Sequence, residues 1–203
     1  GGIANASCTG SKSGPHAGAT PVDAFAYAKA SGNVDWICVI EHNHLMDDAC
    51  GSCTTATIRQ RYQDGLTAAA SATTSSFVGI YGMEWGVINN GGHVALYDTT
   101  KLFSWEAYAD VTTAQYDYAA LWNTANNAAY QGSNGAAGAF CHPGTSDYGS
   151  FSQNAAGISF VTGMAVISGP AFNNTTDFAD GGSRYAGPKK SGTDLYNYAL
   201  QRG

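Results

Sequence analysis

Glu41-His42-Asn43-His44 sets one carboxylate and two imidazoles side by side in a chain that has five histidines in all. Imidazole nitrogen and carboxylate oxygen together suit zinc, manganese or iron. The same donor types recur downstream: Glu84 in "YGMEWG", His93 in "GGHVALY" and His142 in "FCHPG". A bridging carboxylate can hold two cations about 3.5–4 Å apart, and such a pair polarises a phosphoryl or carbonyl oxygen and generates hydroxide near neutral pH. Cys50-Gly51-Ser52-Cys53 offers a competing chemistry. Structural zinc would need a second Cys/His pair at matching spacing, and none follows.

Each residue also has a plainer reading. A lone histidine at a strand end is more often hydrogen-bonded than metal-bound, and this weighs most on His93. Glu84 alone could serve a backbone or indole N–H, and His142 before Pro143 could be a turn residue. His44 reads equally as a substrate contact or a surface residue. His16, in "SGPHAG", reads as a loop residue, and Asp47-Asp48 as a solvated turn.

Position separates these readings. "TPVDAFAYAKASGN" is a helix with Thr20 as N-cap, Pro21 at N1, Asp23 in a capping-box pattern and Gly32 as the stop. "DWICVI" follows as a continuously apolar strand of the kind buried on both faces, ending at Glu41. A helix is expected around "TIRQRYQDGLTAAASA", then a strand "FVGIYGMEW", a turn "INNGG" and a strand "HVALYD". Residues 117–130 read as a helix and "GAAGAFCHPG" as a short strand ending at His142. "ISFVTGMAVISGPAF" reads as a strand ending near Ser168, and "GTDLYNYALQ" as a closing helix. Strands alternating with helices imply a mainly parallel α/β sheet or barrel. His42, Glu84 and His142 then fall at C-terminal strand ends, the rim where such folds build active sites. His93 joins that rim if its strand runs in the reverse direction.

The 203 residues fit one domain with a real core. Charged residues make up 12%, about half the usual share, and Ala, Gly, Ser, Thr and Asn fill the gap. That flavour suits a periplasmic or secreted bacterial protein. Net charge is −6, with no basic cluster beyond Lys189-Lys190, so a nucleic-acid surface has no footprint. No apolar run approaches the ~20 residues of a membrane span. Cys38 and Cys141 read as buried thiols in apolar runs. Cys8, Cys50 and Cys53 lie in loops, where two of them could pair in an oxidising compartment.

"CVIEHNH", "YGMEWG", "GGHVALY" and "FCHPG", in this order and spacing, resemble the PHP superfamily of metal-dependent phosphoesterases, and within it the CehA/McbA-like branch, which also includes carbamate-ester hydrolases. The resemblance runs over nearly the whole chain as one metallohydrolase domain, 1–203. It implies a distorted seven-stranded (β/α) barrel with two or three divalent ions (zinc, manganese or iron) at the C-terminal rim. It also implies His42, Glu84, His93 and His142 as metal ligands, with Glu84 bridging. His44 would contact substrate or assist proton transfer. Glu41 stands where the family usually has Asp. The family's first His-x-His with its Ser-Asp-Gly turn and its last Asp-x-His have no counterpart here. The expectation is therefore an incomplete barrel, an internal fragment truncated at both ends, with a degenerate relative as the alternative.

The expected function is hydrolysis of a small-molecule phosphoester by a metal-activated hydroxide. A carbamate or carboxylic ester on the same metals is the first alternative. A non-catalytic secreted binding domain with structural histidines is the second. The residues do not fix the oligomeric state.

Overall fold

The computed structural model describes residues 20–47, 52–86, 91–141, 147–148 and 155–164. The first helix, α1 (Pro21–Ser31), forms where its caps direct. Thr20 Oγ1 accepts from the Asp23 N–H, and the Asp23 carboxylate accepts from the Thr20 N–H at 2.7 Å. Gly32 ends the helix in the left-handed region at φ +64°, which a residue with a Cβ adopts only at a cost. Thr54 caps α2 (Thr55–Ala72) by accepting from the Thr57 N–H.

The strands are β1 (Trp36–His42), β2 (Val78–Gly86), β3 (His93–Tyr97), the short pair β4 (Phe103–Ser104) and β5 (Val111–Thr112), then β6 (Ala137–Cys141) and β7 (Val161–Met164). Five of them form one sheet in the order β1-β2-β3-β6-β7, and β4 pairs with β5 separately. β1 runs parallel to β2, and β6 to β7, while β3 is antiparallel to both β2 and β6. The chain is therefore a mixed α/β protein whose main sheet is parallel except for β3. Among the described residues the sheet does not close into a barrel.

Strand periodicity sorts the side chains by face. Tyr81, Met83 and Trp85 of β2 are fully buried toward the helices: the Tyr81 ring stands 5.4 Å from Tyr62 of α2. Phe140 of β6 meets Trp122 of the third helix, α3 (Tyr118–Ala125), on the same side. Gly65 of α2 is required there, because a Cβ would lie 2.1 Å from the Tyr81 ring. The alternate positions, including His42, Glu84 and His93, face the other way.

Several expectations change. β1 is half-buried rather than buried on both faces, with Trp36 exposed, because it lies at one end of the described sheet. The helix expected over 117–130 stops at Ala125, and a 3-10 turn follows at Ala128–Tyr130. Asn127 breaks it by accepting from the Ala129 N–H, a local bond that competes with helix continuation. Phe160, expected in a strand, belongs to the helix α4 (Ala155–Phe160), and β7 starts only at Val161. The expected strand beyond Met164, the closing helix, the start of "INNGG", His16 and His142 lie outside the described residues. No helix among the described residues is long and apolar enough to cross a membrane.

Candidate metal centre

β3 runs antiparallel, so its first residue, His93, reaches the rim where β1 and β2 end. Register sets His42 beside Glu84 and His93 beside Gly86. Glu84 Oε1 lies 2.6 Å from His93 Nδ1, and Glu84 Oε2 lies 3.2 Å from His42 Nε2. One carboxylate thus stands between two imidazoles. Glu84 and His93 are buried, whereas the His42 side chain is 32% exposed, so the cluster opens to solvent on the His42 side.

His44 sits in a 3-10 turn (Asn43–Leu45) directly after β1. Its ring centroid is 5.6 Å from that of His42 and 6.3 Å from that of His93. It stacks on the Trp105 indole at an interplanar angle of 13°. The structure therefore brings His42, His44, Glu84 and His93 together, while His142 lies outside the described residues.

Glu41 points the other way. Its register partner is Met83, on the helix-facing side, and burial holds its carboxyl up at about 7. His42 and Glu41 therefore serve different faces of β1. Cys38 and Cys141 are free thiols on the His42 face, half-buried rather than fully buried. Burial pushes Cys38 up to about 12, and burial with the Glu84 charge raises Cys141, so both stay protonated at neutral pH. Cys53 is disulfide-bonded, in keeping with a loop disulfide, and Cys8 and Cys50 lie outside the described residues.

The donor types fit zinc, manganese or iron. Two ligands of one tetrahedral ion, each about 2.1 Å from it, stand about 3.4 Å apart. The His42–Glu84 separation matches that spacing, whereas the His93–Glu84 separation is that of a direct hydrogen bond and must lengthen to admit an ion. Among the described residues no group of three or more His, Cys, Asp or Glu side chains is arranged to hold a metal ion.

Supporting residues escaped the sequence reading. Tyr148 Oη lies 2.6 Å from the His93 carbonyl and 3.0 Å from that of Cys141, and the Tyr148 N–H donates to Gly91 O. Tyr118 Oη donates to Gly92 O. These bonds fix the backbone of Gly91, Gly92 and His93 at the start of β3. Gly86 leaves room for the imidazole, since a Cβ there would lie 2.1 Å from the His93 ring. Gly86→Ala is expected to push His93 off Glu84 and destabilise the chain by about 1–3 kcal/mol, measured by urea unfolding. Wild-type stability in this variant would show that His93 has room to move.

No family model matches the chain, and neither a curated protein nor a solved structure matches it.

Proposed function

We propose that the chain is a metal-dependent hydrolase of small phosphoesters, built on a PHP-type barrel. The observation that carries this reading is the single carboxylate of Glu84 standing between His42 and His93 at the strand-end rim. His42, Glu84 and His93 would hold the metal, with His142 as a further ligand. When bound, a divalent ion supplies Lewis acidity at the phosphoryl oxygen and lowers the pKa of water. Glu84 would be the carboxylate ligand, bridging where two ions are held. His44, ringed by His42, His93 and Trp105, would contact substrate or move a proton.

Activity on an aryl phosphodiester is expected to vanish with chelator and return with manganese or zinc. It is also expected to vanish when His42→Ala and Glu84→Ala are combined. Activity that survives that double substitution would sink the reading. An aryl carbamate assayed in parallel decides which ester is hydrolysed.

A second reading, a non-catalytic secreted binding domain, is favoured by one observation. Each Glu84 oxygen already meets an imidazole nitrogen, so the network is satisfied as a structural element. Under that reading neither ester is turned over with any metal added.

A further inference from the structure

Between His42 and His44 stands Asn43, a polar residue with no solvent exposure. A buried amide that loses its partners is costly, so its bonds define its role. Asn43 Oδ1 accepts from the Gly86 N–H at 3.2 Å, which ties the turn to the end of β2. Its Nδ2 reaches Phe103 O and Ser104 Oγ, both at 3.5 Å, which ties the same turn to β4. Its own carbonyl accepts from Tyr108 Oη. Arg59 of α2 in turn holds that segment, donating to Tyr108 O at 2.9 Å and Ala109 O at 2.5 Å and pairing with Asp110. The segment that grips Asn43 also carries Trp105, whose indole stacks on His44 and meets Trp85 edge-on.

We infer that Asn43 is a positioning residue: with Trp105 as the stacking wall, it locks the turn so that His42 reaches Glu84 and His44 stands beside the His42 and His93 rings. Its loss removes the Asn43 side-chain bonds that tie the turn to β2 and β4, and with them a restraint on the distance of His44 from the two other imidazoles. The metal arm of the test below rests on the hydrolase reading; the geometric arm does not.

The test is NMR on the whole chain, reading proton dipolar contacts between the His44 ring and the His42 and His93 rings, together with zinc titration. Asn43→Ala is expected to lose those ring contacts while the Tyr62–Tyr81 contact in the core persists. Zinc affinity is expected to fall about ten- to hundredfold, as for other residues that orient ligands. Trp105→Leu is expected to lose the His44 contacts, and Trp105→Phe, which keeps an aromatic face, to retain them. If Asn43→Ala does not fold, the Trp105 pair decides. His44 contacts that persist in Asn43→Ala, or in Trp105→Leu, overturn the inference. An unsubstituted chain that binds no zinc overturns the metal reading alone, because the ring contacts still report on Asn43.

Discussion

Glu84→Gln is expected to lower the proposed ester hydrolysis at least about a hundredfold, since losing a metal ligand costs no less than the upper range for losing a group that merely orients one. Glutamine keeps the shape of the side chain but removes the charge, and it turns one acceptor oxygen into a donor. The two imidazoles now meet an oxygen and an amide nitrogen where each met a carboxylate oxygen. His93 is buried and cannot recover the lost interaction from water. The same variant is expected to lose about 1.5–3 kcal/mol of stability, the value of a hydrogen bond to a charged group. Wild-type turnover with reduced stability would assign Glu84 to structure alone.

The second large effect concerns Glu41 and runs against habit. Most carboxylates in folded proteins stabilise when ionised, but burial holds Glu41 up at about 7. The folded chain therefore binds this proton more tightly than the unfolded chain, whose glutamate titrates at about 4.3. The resulting stability is fully present below pH ~4.3, declines as pH rises, and is lost above about 7. The span corresponds to about 4 kcal/mol. Glu41→Gln is expected to flatten this decline and to be the more stable protein at pH 8, measured by urea unfolding at pH 5 and pH 8. Equal pH dependence in the two proteins would show that Glu41 ionises normally.

The contrast between Glu41 and His42 shows what a linear sequence conveys and what it does not. Adjacent residues on a strand face opposite sides, so "EHNH" is not one cluster. Its first carboxylate is buried with Tyr81 and Met83, while His42 turns toward Glu84. The caps of α1 were legible because Thr20, Pro21, Asp23 and Gly32 act within a few residues of one another. The reversal of β3 was legible only as a condition for His93 to join the rim, and the register meets it.

The role of Asn43 was not legible, because its partners Phe103 and Ser104 lie some sixty positions along the chain. The half-burial of β1 was equally hidden, since an apolar run does not reveal where its strand stands in the sheet order. The stop at Ala125 had a local signal, Asn126-Asn127, which the apolar pattern of the surrounding residues outweighed.

Glu84, held between His42 and His93, is the residue on which the proposed divalent metal site depends. Calorimetric titration of zinc or manganese into the metal-stripped chain tests it most directly. Saturable binding that is lost or weakened at least tenfold in Glu84→Gln is the expected result. No binding by the unsubstituted chain, or equal binding by both, would contradict it.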